Sequence, residues 1–165
     1  MKILFISIAI FSSLAFFEVH DVRNNHFVKS KKPNIVIILA DQWRAQATGY
    51  NNDPNLIGKT PHLDALANTG VHFKNAISVT PVCTPYRAAL MTGKYPTTTG
   101  MIFNDIHLPE GEITMAEYFK ASGYKTGYIG KWHLDGMGRF KYTPPHRRQG
   151  FEYWKALECS HDYNN

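Results

Sequence analysis

The sequence has few cysteines, no concentrated block of charge and no internal repeat. Its two cysteines, Cys83 and Cys159, allow at most one disulfide, which excludes a disulfide-rich scaffold but leaves that pairing open. The formal net charge of +5 is spread along the chain and forms no basic stripe, so no nucleic-acid partner is expected. With 44% hydrophobic and 19% charged residues, the composition is typical of a globular domain.

The apolar stretch at the start of the chain is too short for a membrane span. Lys2 precedes residues 3–15, which fall short of the roughly 20 residues that a spanning helix needs. At the end of that stretch, Ser13 and Ala15 have the spacing of a signal-peptide cleavage site. We therefore interpret residues 1–17 as a secretory signal peptide and residues 18–32 as a polar linker, and we expect export to the periplasm or the extracellular space.

Three segments predict strands. IVIILA, residues 35–40, is a continuous aliphatic run typical of a strand buried in a parallel sheet. VHFKNAI, residues 71–77, alternates apolar and polar residues like a strand, and residues 124–129 are predicted to form another strand. The sequence thus predicts strands at the beginning, middle and end of an α/β layer.

Three further segments combine a threonine that can cap a helix with a glycine that can end it. They are residues 60–70, 84–93 and 114–123. Pro61 and Pro85 stand at first helical positions, while Thr114 and Glu117 have the spacing of a capping box. The resulting order of strands and helices predicts an α/β fold with a mainly parallel sheet.

Polar residues follow two of the predicted strands, at the sheet edge where ligands collect in open α/β folds. Asp41 and Gln42 offer oxygen ligands to a hard cation, although Asp41 could equally cap a turn. Lys131 and His133 are two residues apart, so in an extended segment both side chains point the same way and could hold an anion and move a proton. The alternative is a surface lysine and a hydrogen-bonded histidine.

Cys83 lies just before the predicted cap Thr84, where the amino end of a helix favours negative charge. Arg87, one turn into the helix, can reach back to the same point and bind an oxyanion. A nucleophile and an anion site are therefore predicted together. These residues alone fit either a cysteine hydrolase or a buried structural cysteine.

The segment CTPYRAALMTGKYP, residues 83–96, resembles the extended C-x-P-x-R signature of type I, formylglycine-dependent sulfatases. NIVIILADQWR resembles their first metal segment and GYKTGYIGKWHLDG their lysine and histidine segment. The resemblance runs from about Pro33 to the end of the chain. It implies an α/β, alkaline phosphatase-like fold with a mainly parallel sheet flanked by helices, of which residues 33–165 form the amino-terminal part, incomplete in this chain.

The resemblance also implies a modified nucleophile and a metal. A formylglycine-generating enzyme would oxidise Cys83 to formylglycine, whose hydrate attacks sulfur with one hydroxyl and expels sulfate with the other. Asp41, Gln42 and the modified Cys83 would bind Ca²⁺, with Mg²⁺ as the alternative ion. Many relatives have an aspartate where this chain has Gln42, so the site here keeps an oxygen ligand and loses one negative charge.

Three further residues receive roles from the resemblance. Arg87 would steady the formylglycine, Lys131 would hold both it and the sulfate, and His133 would take the proton from the second hydroxyl. Together with the metal, these cations would offset charge on the transferring sulfuryl group. Asn104, Asp105 and His107 are instead interpreted as a turn outside the site.

The predicted function is hydrolysis of sulfate esters, with a sulfated carbohydrate as the substrate class suggested by export. One alternative is a phosphonate or phosphate diester hydrolase of the same superfamily. The other is a non-catalytic fragment, because the second metal pair of the family has no convincing match among these 165 residues. We expect the fragment alone to be inactive, and the sequence predicts no oligomeric state.

Overall fold

Short helices and one pair of parallel strands make up the regular structure that we describe. The computed structural model describes residues 32–159, so the predicted signal peptide and nearly all of the predicted linker lie outside it. The chain divides into two units, Met1–Asp64 and Ala65–Asn165. The main helices and strands of the described residues are α1 (Pro61–Thr69), α2 (Cys83–Thr92), α3 (Pro96–Thr99), α4 (Met115–Ala121), β1 (Gly127–Lys131) and β2 (Tyr153–Leu157).

The three predicted helices are confirmed as α1, α2 and α4. Gly93 adopts a left-handed conformation, φ +69°, directly after α2, as a glycine that ends a helix commonly does. The capping box of α4 is present, with the backbone N–H of Thr114 donating to the Glu117 carboxylate at 2.8 Å. Local start and stop residues therefore determine these helices. None of the described helices has the length and apolar character to cross a membrane.

The start of α2 differs from its prediction. Val82 is the N-cap residue, and Thr84, predicted to be the cap, lies buried inside the first turn together with Cys83. The reason is tertiary: the Thr84 hydroxyl donates to the backbone carbonyl of His133 at 2.9 Å and is not used to cap its own helix. Cys83 is consequently the first residue of α2 and does not precede the helix.

Two of the predicted strands are wrong for this structure. Residues 35–40 have no regular secondary structure and their apolar side chains are exposed, Ile38 by 90%. Residues 71–77 contain a turn at Lys74 and Asn75 and are exposed as well. An apolar run becomes a parallel strand only when neighbouring strands accept its backbone hydrogen bonds, and no described strand does so for either segment.

The third predicted strand, residues 124–129, forms as β1, which begins three residues later and ends two residues later than expected. It pairs in parallel with β2, which the sequence analysis did not predict, in the register Gly127 to Tyr153 and Lys131 to Leu157. This pair is the one sheet within the described residues, so the predicted parallel arrangement is confirmed for a small sheet only.

An aromatic cluster buries the end of β1. Trp132 is fully buried and packs edge-on against Tyr128 and Trp154, with ring centroids 5.1 Å apart in both pairs. Each such pair typically stabilises a protein by about 0.5–1.5 kcal/mol beyond the area that it buries. Because Trp132 separates Lys131 from His133, this packing fixes the backbone from which both side chains extend.

Gly136 provides a stability prediction with a matched control. Its φ is +67°, and a Cβ there would lie 2.7 Å from the backbone carbon of Ile106, whereas Gly93 has nearly the same φ and open space around it. We expect Gly93→Ala to cost about 1 kcal/mol of unfolding free energy and Gly136→Ala about 3 kcal/mol or more, because only the second adds a backbone clash. Denaturant unfolding measures both. Equal costs would contradict the close packing at Gly136.

Candidate active site

The site is built where the first turn of α2 meets the end of β1. Cys83 opens α2, and the Lys131 ammonium donates to its Sγ at 3.3 Å. The amino end of a helix and an ammonium both favour negative charge at the same point. The structure therefore brings together two of the predicted site residues that lie 48 positions apart in the sequence.

Arg87 anchors α2 to β1. Its buried guanidinium donates through Nη1 to the Tyr128 hydroxyl at 3.0 Å and to the backbone carbonyl of Lys131. The Tyr128 hydroxyl donates to the same carbonyl. These bonds fix the position of the Lys131 backbone relative to the helix that carries Cys83. The predicted contact of Arg87 with a modified Cys83 stays a prediction.

Thr84 connects Cys83 to the histidine segment. Its backbone N–H donates to the Asn104 side-chain oxygen at 2.9 Å, and its hydroxyl donates to the His133 carbonyl. The same hydroxyl accepts a longer bond, 3.4 Å, from the N–H of Asp105. Hydrogen bonds of this kind stabilise a fold by roughly 1 kcal/mol each. Here they link the first turn of α2 to two loops.

His133 is buried, with 2% of its surface exposed, and its Nε2 lies 2.7 Å from Oδ1 of Asp105. Its φ of +58° means that the backbone leaves the extended conformation there. The argument that placed Lys131 and His133 on one side of an extended segment therefore does not apply. In the structure Lys131 contacts Cys83, while His133 contacts Asp105.

Asp105 is a site neighbour that the sequence analysis missed. It does lie in the predicted turn, but its second oxygen, Oδ2, also accepts from Arg139 at 3.1 Å. Hydrogen bonds from His133 and then from Arg139 lower the pKa of Asp105 below its ordinary value. The pair Asn-Asp is so common in turns that it carried no sign of a partner 28 residues further along.

The chain beyond His133 is held by a buried carboxylate. Glu158 accepts from the backbone N–H groups of Asp135 and Gly136, at 2.6 and 2.9 Å. Burial raises the pKa of Glu158, although those two bonds act in the opposite direction. Glu158 lies just after β2, so the second strand stabilises the histidine segment even though it contributes none of the predicted site residues.

Two of the three predicted metal ligands belong to the other unit. Asp41 and Gln42 form an exposed turn within Met1–Asp64, with Gln42 at φ +51°, whereas Cys83 belongs to Ala65–Asn165. A carboxylate and an amide oxygen suit the donor preference of Ca²⁺ or Mg²⁺. They are two ligands of the six or so that such ions take, and residues 32–159 contain no group of three His, Cys, Asp or Glu arranged to hold a metal.

The pairing of the two cysteines, which the sequence left open, does not occur. No disulfide joins Cys83 to Cys159 among the described residues. Cys159 is buried after β2, and its backbone N–H donates to the carbonyl of Arg139 at 2.8 Å. Cys83 therefore retains a thiol beside Lys131.

Comparisons with known proteins agree with the sequence motifs. The sulfatase family model matches residues 33–165. An ulvan-active sulfatase from Formosa agariphila is 70% identical over 133 residues, which cover 81% of this chain and 26% of that protein. Human arylsulfatase A is 39% identical over 139 residues, which cover 81% of this chain and 27% of the human protein. The chain thus spans about a quarter of the length of these relatives.

Solved structures give the same result for the fold. The Bacteroides fragilis sulfatase named yidJ aligns with a TM-score of 0.68 and 38% identity, over 78% of this chain and 32% of that one. Ps i-CgsB in complex with k-i-k-neocarrahexaose aligns with a TM-score of 0.64 and 34% identity, over 74% of this chain and 27% of that one. These likenesses confirm the predicted alkaline phosphatase-like fold, of which the described residues form a small parallel sheet flanked by helices.

Proposed function

Because the chain belongs to the sulfatase family, we propose that the protein hydrolyses sulfate esters of a carbohydrate through a formylglycine derived from Cys83. The observation that carries the proposal is the 3.3 Å contact between the Lys131 ammonium and Cys83 at the amino end of α2. This arrangement concentrates positive charge at the position where the anionic group of a sulfate ester would react. The activity is proposed for the whole protein, since this chain spans about a quarter of its relatives.

A sulfated polysaccharide is the substrate class that we propose. The Formosa agariphila relative is named for its action on ulvan, and it shares 70% identity with this chain. The structure of Ps i-CgsB contains a neocarrahexaose. Ulvan oligosaccharides are therefore the substrates to test first, followed by carrageenan oligosaccharides.

The residues around Cys83 have separable roles in this proposal. Once formed, the formylglycine hydrate would supply one hydroxyl that displaces the alcohol from sulfur and a second whose deprotonation releases sulfate. Lys131 holds the group at position 83 and neutralises the sulfate oxygens. His133, in its buried pocket, receives the proton of the second hydroxyl. Arg87 fixes the carbonyl of Lys131 and with it the direction of the ammonium.

A divalent cation fits the donor chemistry of Asp41 and Gln42. We propose calcium as the resident ion and magnesium as the alternative, bound by these two oxygens together with an oxygen of the modified Cys83. The ion would supply positive charge toward the sulfate oxygens. With Gln42 in place of a second carboxylate, this end of the site contributes one negative charge, from Asp41.

Maturation and location complete the proposal. A formylglycine-generating enzyme is the partner required to modify Cys83, and the sequence around it, Thr84-Pro85-Tyr86-Arg87, retains the C-x-P-x-R pattern. Residues 1–17 would direct the chain to the periplasm or the extracellular space. An exported enzyme would meet polysaccharides that are too large to enter the cell.

A comparison of sulfate and phosphate esters tests the proposed reaction. The full-length protein is co-expressed with a formylglycine-generating enzyme, and kcat/KM is measured on sulfated ulvan oligosaccharides and on an aryl phosphate diester. We expect sulfate release with the higher kcat/KM, because a catalyst is selective for the transition state that its charges match. A preference for the diester would favour the phosphate and phosphonate hydrolases, and binding of the oligosaccharide without turnover would favour a non-catalytic protein.

A further inference from the structure

We propose that Asp105 is a positioning residue for His133, which holds the imidazole through Nε2 and leaves Nδ1 as the atom that accepts the proton. The inference rests on the proposed function and adds a residue to it. A neutral imidazole has one N–H donor and one acceptor nitrogen. Since an ionised carboxylate only accepts, the proton lies on Nε2, which is 2.7 Å from Asp105.

The other imidazole nitrogen of His133, Nδ1, is available to accept a proton. Nδ1 is buried and has no hydrogen-bond partner among residues 32–159. A buried acceptor without a partner is costly in a folded protein, so its retention calls for an explanation. Proton transfer from a group held at position 83 provides such an explanation. The backbone carbonyl of His133 accepts a hydrogen bond from the hydroxyl of Thr84, the residue that follows Cys83.

Asp105 is itself fixed on several sides. Arg139 donates to Oδ2 at 3.1 Å, and the N–H of Asp105 donates to the Thr84 hydroxyl at 3.4 Å. The preceding residue, Asn104, accepts from the N–H of Thr84 at 2.9 Å. Residues 104 and 105 therefore contact both the first turn of α2 and the imidazole. A shift of this turn would move the base relative to the nucleophile.

The negative charge on Asp105 acts at the step that releases sulfate, when His133 becomes an imidazolium. When the second hydroxyl of the formylglycine hydrate loses its proton to Nδ1, the O–H bond breaks and an N–H bond forms. The electron pair of the O–H bond restores the aldehyde C=O, and the C–O bond to sulfate breaks with its electrons leaving on sulfate. The imidazolium that results is stabilised by Asp105, whose pKa the bonds from His133 and Arg139 lower, so that it stays ionised.

The test combines an NMR signal with kinetics on the full-length, modified protein. In the unchanged protein we expect a slowly exchanging, downfield imidazole Nε2–H resonance from His133. Asp105→Ala should remove it and reduce kcat on ulvan oligosaccharides about 10- to 100-fold with little change in KM, because substrate binding is left intact. Asp105→Glu, which keeps the carboxylate, should recover part of kcat.

Glu112→Gln is the matched control, since it neutralises a carboxylate that pairs with Lys94 at 2.7 Å and touches no site residue. It should leave both the resonance and kcat unchanged. If Asp105→Ala fails to fold, Asp105→Asn, which keeps the shape of the side chain, replaces it.

The outcomes separate this inference from the proposed function. Persistence of the Nε2–H resonance in the folded Asp105 variant, or an unchanged kcat, overturns the role of Asp105 while the sulfatase activity stands. If the unchanged protein releases no sulfate, the proposed function fails, and the resonance still decides whether Asp105 holds His133.

Discussion

Cys83→Ala is expected to abolish sulfate release, by on the order of 10⁴-fold or more, and to leave the fold intact. The large effect follows because alanine cannot be converted to formylglycine, so no nucleophile remains at the amino end of α2. The small effect on stability follows because Cys83 is half-buried in the first turn of a helix, where alanine is well tolerated. Turnover assays and circular dichroism check the two parts.

The second cysteine provides the control for this experiment. Cys159 is buried beyond β2 and has no place in the proposed chemistry, so Cys159→Ala should keep its activity and lose some stability. Cys83→Ser keeps a single hydroxyl, so it should accept one sulfuryl group and stall as a sulfate ester, because sulfate release needs the second hydroxyl. Activity that survives Cys83→Ala would remove formylglycine from the mechanism.

Lys131→Met is expected to lower kcat/KM for the sulfate ester about 10²- to 10³-fold, the range seen when one preorganised electrostatic donor is lost. The structural reason is the contact of its ammonium with Cys83 at 3.3 Å, at the end of a strand whose position Arg87 and Trp132 fix. Methionine keeps most of the length and removes the charge. Steady-state kinetics on ulvan oligosaccharides measure the loss.

Lys125→Met is the matched control for charge. Lys125 precedes the same strand, but its side chain is 94% exposed and pairs with Glu152 at 3.5 Å. An exposed pair of this kind contributes little to a fold, so the variant should retain kcat/KM within about twofold. Equal losses in the two variants would mean that general surface charge, and not the contact with Cys83, explains the effect of Lys131.

The helices could be predicted from the sequence because their signals are local. Gly93 ends α2, and Thr114 with Glu117 begins α4, within a few residues of the turns that they determine. The strands could not be predicted equally well. Residues 35–40 have the composition of a buried strand, but burial and pairing depend on neighbours that no local pattern specifies. The segment Tyr153–Leu157, whose residues alternate between exposed and partly buried, carries a local signal for β2.

The candidate site, like the fold, could be predicted from the sequence only in part. The resemblance pointed to Cys83 and Lys131, and the structure places them in contact. The sequence analysis missed the bond between Asp105 and His133, because both residues have positive φ, +63° and +58°, and both are positioned by Thr84. Those conformations result from tertiary hydrogen bonds, which the spacing of residues does not reveal.

The most direct test of the central claim is the mass of the tryptic peptide that spans residues 75–87 and contains Cys83. The protein is co-expressed with a formylglycine-generating enzyme, beside a sulfatase known to be modified in the same cells. The account predicts a peptide in which the thiol is replaced by an aldehyde that a hydrazide reagent captures. An intact, alkylatable thiol at Cys83, with the other sulfatase modified, would contradict it.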